Sequence, residues 1–397
     1  MARLDVRAMS LLSISHVVDD YNQSFIPALL PFLIVQRGIS HETAATLVFA
    51  QAASSSVIQP AIGVLADRVS MPWLIAAGIF MAGLGVAALG WLHAFPLLFC
   101  AALLSGIGVA CFHPEAARFA NYVAGDRKAS GMRWFTMGGN LGFAIGPGFA
   151  TGAIALFGAY TLHGTLLALI PVTIVAIVVL IELPRLRTFV PEHAKRREGA
   201  GADDWFSFTK LTGFVIVRSM TYLGLVAFTS LYVVERLGVA PAVGDAVLTA
   251  FLVAGVAGTI AGGPVADRFG RKPVLICSTL LTALLIFTLV AVGPAVGLVG
   301  VIPLLIVTGF VLYASQAPMV VLGQEYLPHH IGLASGVTLG LAVSLGGMFT
   351  PVLGFIADRH GIAASMATLG ILATLALTFG LILPNERRSA ERSAVAA

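Results

Sequence analysis

GGPVADRFGRK, residues 262–272, packs an acid, three bases and a turn-forming glycine into eleven positions between two long apolar runs. A weaker copy, GVLADRVSMPW, stands at 63–73, about two hundred residues earlier, and it too lies between apolar runs. Charged loops that punctuate apolar stretches of about 20 residues are the pattern of a chain that crosses a bilayer repeatedly, because roughly 20 helical residues span about 30 Å of hydrocarbon. Reading outward from these loops, such stretches fall near 9–36, 43–66, 73–92, 96–121, 129–153 and 160–183. A second set falls near 210–235, 243–266, 273–292, 298–323, 331–357 and 363–383. Between the sets, residues 184–208 are polar, basic and rich in helix breakers. The expected organisation is an N-terminal six-helix bundle over 1–183, a cytoplasmic linker over 184–209, and a C-terminal six-helix bundle with a short tail over 210–397.

Composition agrees with an all-α polytopic membrane protein. Of 397 residues, 58% are hydrophobic and 11% charged, and the mean hydropathy is +0.95; soluble domains carry about a quarter charged residues. The formal charge of +4 does not point to nucleic acid, since Lys and Arg come in short clusters between spans and read as topology signals. With the N-terminus inside, Arg68, Arg127, Arg187, Arg268 and Lys272 all fall on the cytoplasmic side, as do both termini, which predicts a multi-pass protein of the plasma (inner) membrane. Cys100, Cys111 and Cys277 lie in apolar runs at spacings that fit neither disulfides nor a metal site. His16, Asp19 and Asp20 interrupt the first apolar run and no cleavage site follows, so it reads as a retained helix. The copied loop, together with Ser130, Gly131 and Pro147 recurring as Ser335, Gly336 and Pro351, argues for duplication of a six-helix unit with the substrate path between the halves.

The 262–272 loop resembles the signature Gly-x-x-x-Asp-Arg-x-Gly-Arg-Lys of the major facilitator superfamily, carried by Gly263, Asp267, Arg268, Gly270, Arg271 and Lys272. The earlier copy keeps Gly63, Asp67 and Arg68 but has Ser70, Met71 and Pro72 in place of Gly, Arg and Lys. SISHVVDDYNQS (13–24), IQPAIGVLADRVSMPW (58–73) and GIGVACFHPEAARF (106–119) running on to GGNLGFAIGPG (138–148) narrow the resemblance to the fosmidomycin-resistance type of efflux protein. It implies twelve helices, alternating access and proton-coupled export of a drug-like compound; the antibiotic naming the family is a phosphonate. It also implies that spans one, four, seven and ten line the path. Asp67, Arg68, Asp267, Arg268 and Arg271, together with Glu115, Arg118 and Arg133, would form a conformational latch in which acids pair with arginines near helix ends.

The residues can also be read physically. At about 100° per residue, His16, Asp20, Gln23 and Pro27 fall within about 60° of one another on the first span, with Asp19 at the margin. An ionised Asp at mid-membrane costs about 2.5–3.5 kcal/mol, so the stripe is expected to line water; interhelical hydrogen bonding is the alternative. His113 in the fourth span should lie at a similar depth. Pro114 removes a helix donor and should kink the span. Glu115 and Arg118 can pair one turn apart, but point away from His113; the reading assigns them to a pair against the fifth span that includes Arg133, with the opposite assignment of faces open. The candidates for proton coupling are therefore Asp20, His16, His113, Glu115 and Asp19, with Asp20 ranked first on the family motif.

The glycines of 138–152 predict close helix approach, with Asn140 in the seam. Ala102 stands where drug antiporters carry an Arg, so the proton step must use other groups. In the second half, Arg218 is the natural partner for a phosphonate or carboxylate, with snorkelling as the alternative. Tyr222 and Gln316 occupy positions equivalent to Asp19 and His113. The substrate-binding candidates are thus Gln23, His113, Asn140, Arg218, Tyr222 and Gln316. No cofactor and no metal are expected, and no enzyme: there is no His-Glu-x-x-His, and HPE lacks a second ligand at metal spacing. Partners are a small-molecule substrate, protons and the lipid bilayer, and the chain is expected to be a monomer. An importer of a small organic anion and a non-transporting sensor remain the rival readings.

Overall fold

Both halves open on a long helix that ends in the same way. In the computed structural model, α1 (Val6–Arg37) is capped by Asp5, whose side chain accepts from the Ala8 amide, and terminates at Gly38 with φ 61°. Its counterpart α7 (Trp205–Leu237) is capped by Asp204 and terminates at Gly238 with φ 64°. Left-handed backbone at a helix end favours glycine, which lacks the Cβ that clashes there, so the duplication is visible even in the stops.

The structure describes residues 4–125, 128–157, 161–189, 202–330, 333–334, 337–338 and 342–384. These residues are helical with no strand among them, and divide into two compact units, Met1–Ala194 and Lys195–Ala397. In the first, α2 (His41–Arg68), α3 (Trp73–Leu89), α4 (Phe95–Val123) and α5 (Lys128–Leu156) follow α1; a 3-10 turn at Leu162–Ala168 leads into α6 (Leu169–Arg187). In the second, α8 (Pro241–Phe269) follows α7, and α9 (Arg271–Ala314) carries two spans. The sequence predicts a loop near 293–297; instead the chain turns at one residue, Gly297, at φ 58° and ψ −163°. The tenth span continues past a break at Ser315 as α10 (Gln316–Tyr326). The described part of the eleventh is α11 (Ala342–Met348) and α12 (Thr350–His360), and α13 (Ile362–Leu381) closes the twelve-span, two-bundle fold. Ser335 and Gly336 of the repeat argument and residues 190–201 of the linker lie outside the described residues.

Hydrocarbon is the solvent these helices are built for. On α6, Ile170, Ile174, Ile177 and Ile181 are exposed while Val172, Val175 and Val179 are buried, so both faces are apolar. A helix in water would have a polar outer face. Inside each unit small residues let backbones approach closely: a Cβ on Gly138 would press on the Ser13 carbonyl and one on Gly142 on that of Val17, which seats α5 against α1. In the second unit a Cβ on Gly346 would meet the Ser219 carbonyl, which seats α11 against α7 in the same manner.

Candidate functional site

Burying α1 against α4 and α5 carries its polar stripe inward, and four ionisable groups meet there. His16 Nε2 lies 3.3 Å from Asp20 Oδ2, and His113 Nε2, from α4, lies 3.2 Å from Asp20 Oδ1. His113 Nδ1 is 3.4 Å from Asp19 Oδ2. Gln23 donates its amide to Asp20 Oδ1. The two imidazoles are edge to face, with centroids 5.2 Å apart. Asp19, which the helix angles leave at the margin, is fully buried, and neither of its carboxylate oxygens has a hydrogen-bond partner. Such a group is costly to keep inside a protein.

The surroundings fix the rings. His16 Nδ1 is 2.8 Å from the Phe135 carbonyl and its ring stacks on the Phe135 ring at 4.1 Å; His113 Nδ1 is 3.0 Å from the Val109 carbonyl. A carbonyl only accepts, so both Nδ1 atoms carry hydrogen and both Nε2 atoms face Asp20. Gly139 closes the site, since a Cβ there would stand 2.5 Å from His16 Nε2 and 2.6 Å from Asp20 Oδ2. Asn140, the next residue, is half-buried and makes no hydrogen bond to the cluster among the described residues. The role of Phe135 is absent from the sequence reading, because nothing in a lone aromatic on α5 signals that its carbonyl will orient a histidine of α1.

Glu115 and Arg118 lie elsewhere. Arg118 grips the buried Glu115 carboxylate through Nε at 3.0 Å and Nη2 at 2.7 and 2.8 Å. The pair was expected against the fifth span with Arg133; it packs on the α2–α3 loop instead, and Arg133 is exposed. The Met71 amide donates to Glu115 Oε1 at 2.6 Å and Arg118 Nη2 donates to Ser70 Oγ. The physical reason is at the start of α3, where Pro72 provides no side-chain cap: a carboxylate satisfies a free donor and complements the helix dipole. Pro114 sits within the continuous run of α4.

In the second unit Arg218 is buried, donating from Nε to Ser315 Oγ (2.9 Å), from Nη1 to Gln316 Oε1 (3.0 Å) and from Nη2 to the Leu312 carbonyl (2.6 Å). These groups are the ends left by the break between α9 and α10, and none is charged; among the described residues no carboxylate pairs with Arg218. Tyr222 accepts a hydrogen bond from Tyr313 at 3.1 Å. Of the expected latch, the side chains of Asp67 and Arg68 lie outside the described residues. Asp267 and Arg268 are exposed, and the acid that Arg271 grips is Glu325, at 2.7 Å. Asp267 ends its helix facing outward, whereas Glu325 projects from α10 toward the loop.

A sequence model of the Major Facilitator Superfamily matches residues 12–351 and 211–396. The chain is 30% identical over 398 residues to the fosmidomycin resistance protein of Escherichia coli (strain K12), covering 97% of this chain and 95% of that one. It is 28% identical to an uncharacterized MFS-type transporter of Bacillus subtilis (strain 168), covering 96% and 93%. In fold it matches a bacterial homolog of the human lysosomal transporter Spinster, with a TM-score of 0.80 at 14% identity over 97% of each chain.

Proposed function

The chain belongs to the major facilitator superfamily and is a multi-pass membrane transporter, not an enzyme; on that premise we propose that it couples inward proton movement to export of a small anionic compound of the phosphonate class. The observation that carries the reading is the meeting of Asp19, Asp20, His16 and His113 between α1 and α4. Two carboxylates and two imidazoles in contact within a membrane span can gain and lose protons by small shifts among neighbouring atoms, whereas an isolated charge at that depth is expensive. Asp20 touches both rings and Gln23, so it is the group through which a proton would be shared. Glu115 is held by Arg118 and the Met71 amide, which supports a structural role for it.

The anionic substrate is supported by Arg218. A buried guanidinium whose hydrogen-bond partners are all neutral keeps its net charge available, and its planar fork suits carboxylate and phosphonate oxygens. Similarity to a fosmidomycin resistance protein points to the same chemistry. With both termini cytoplasmic and the cell interior negative, expulsion of each net negative charge gains about 2.3 kcal/mol per 100 mV, and proton entry adds to the drive.

The test is uptake of a labelled phosphonate into inverted vesicles under an imposed pH gradient. Asp20→Asn is expected to abolish accumulation while leaving protein level and substrate binding in place. Accumulation by that variant at the unmodified protein's rate would refute Asp20 as the coupling group.

A further inference from the structure

We propose that His16 Nε2, His113 Nε2 and the Asp20 carboxylate form a binding site for one divalent transition-metal ion of the Zn2+ class, balanced in charge by Asp19. The site is argued from ligand geometry and does not rest on the transport reading. The three side chains offer ligand atoms that all lie within 4.8 Å of one another. His16 Nε2 stands 3.3 Å from one Asp20 oxygen and His113 Nε2 3.2 Å from the other, separations that suit an ion held by both oxygens of the carboxylate, since bonds of about 2.0–2.1 Å place neighbouring ligand atoms roughly 3.3–3.4 Å apart.

Each Nδ1 hydrogen is committed to a backbone carbonyl, that of Phe135 for His16 and that of Val109 for His113. This is the outer-shell arrangement that orients metal-ligating histidines, since it turns the Nε2 lone pair toward the ion. Each Nε2 faces an oxygen of one carboxylate at close range, a contact that needs positive charge between the atoms, supplied by protons on the rings or by a bound cation.

Asp19 is the independent observation. Its side chain is fully buried, both oxygens lack a hydrogen-bond partner, and it lies 3.4 Å from the His113 ring. Two neutral imidazoles with two carboxylates carry a charge of −2, which one divalent ion neutralises. Two imidazoles with carboxylate oxygen suit Zn2+, Co2+ and Ni2+ better than Mg2+ or Ca2+, which prefer all-oxygen shells. The sequence conceals the site because the partners of His113 come from another helix, not from the neighbours of HPE.

The experiment is Zn2+ binding to the purified, tag-free protein in detergent. It is done in a His329→Gln/His330→Gln background, because those exposed histidines flank Asp203 and would collect metal on their own. About one Zn2+ per chain is expected. His16→Gln and His113→Gln should each weaken binding by more than the roughly 10- to 100-fold that loss of an outer-shell partner costs. Co2+ should give visible d–d absorption that the same variants abolish. Since a variant can fail to fold, X-ray absorption of the Zn2+-loaded background protein supplies a second measurement, with two imidazoles expected in the first coordination shell. Failure of the background protein to bind Zn2+, binding retained in the His16→Gln/His113→Gln double variant, or a shell without imidazole scattering each overturns the proposal.

Discussion

Gly139→Ala removes no functional group, yet it should damage the site as much as many substitutions within it. The added Cβ would stand 2.5 Å from both Cε1 and Nε2 of His16 and 2.6 Å from Asp20 Oδ2. Comfortable contacts are about 3.5–4.0 Å, so roughly 1 Å must be found. His16 cannot supply it, because its ring is stacked on Phe135 and its Nδ1 is bonded to the Phe135 carbonyl. Nor can α1 shift freely, with Gly138 and Gly142 pressing on the Ser13 and Val17 carbonyls. Overpacking of this kind costs about 1–3 kcal/mol, offset in part by the gain of about 0.8–1 kcal/mol for Ala over Gly in a helix. Gly152, farther along α5, is the control, since nothing lies within 4 Å of a Cβ there and only the gain applies. Thermal unfolding in detergent should therefore rank Gly152→Ala at or above the parent and Gly139→Ala below it. In proteoliposomes loaded with a pH-sensitive dye, substrate-coupled proton movement should fall about tenfold or more in Gly139→Ala alone, the effect of about 1.4 kcal/mol on a rate. Equal stability and equal coupling in the two variants would refute the packing argument.

Arg218→Lys keeps the charge but cannot serve Ser315, Gln316 and the Leu312 carbonyl together, so phosphonate export should fall nearly as far as in Arg218→Ala. Efflux indifferent to a clamped membrane potential, with Arg218→Ala fully active, would exclude an anionic substrate. Glu115→Ala leaves the Met71 amide without its acceptor and takes the carboxylate from Arg118, and should destabilise the first unit by about 1–3 kcal/mol, the cost of an unsatisfied buried group. Glu115→Gln retains an acceptor for Met71 and should cost less in an unfolding titration; equal losses would remove the loop-capping role.

Length, apolar periodicity and two copied loops were enough to read the class of fold, because a bilayer leaves a helical chain few alternatives: each span must satisfy its own backbone and cross a fixed thickness. The stripe of His16, Asp20 and Gln23 was equally legible, since helix angles depend only on residue spacing. Sequence could not supply the partners. His113 meets Asp20 because α4 packs beside α1, and the stripped face of α5 lets Phe135 approach closely enough to orient His16; those contacts join residues far apart in the chain. The same limit misdirected the reading of Glu115 and Arg118, whose spacing determined that they pair but not against what, and of Asp19, placed at a margin that tertiary packing turned into the interior. Local periodicity determines which side chains share a face of a helix. Only the packing of helix on helix decides what that face meets, and here it brought two carboxylates and two imidazoles into contact where hydrocarbon would otherwise exclude them.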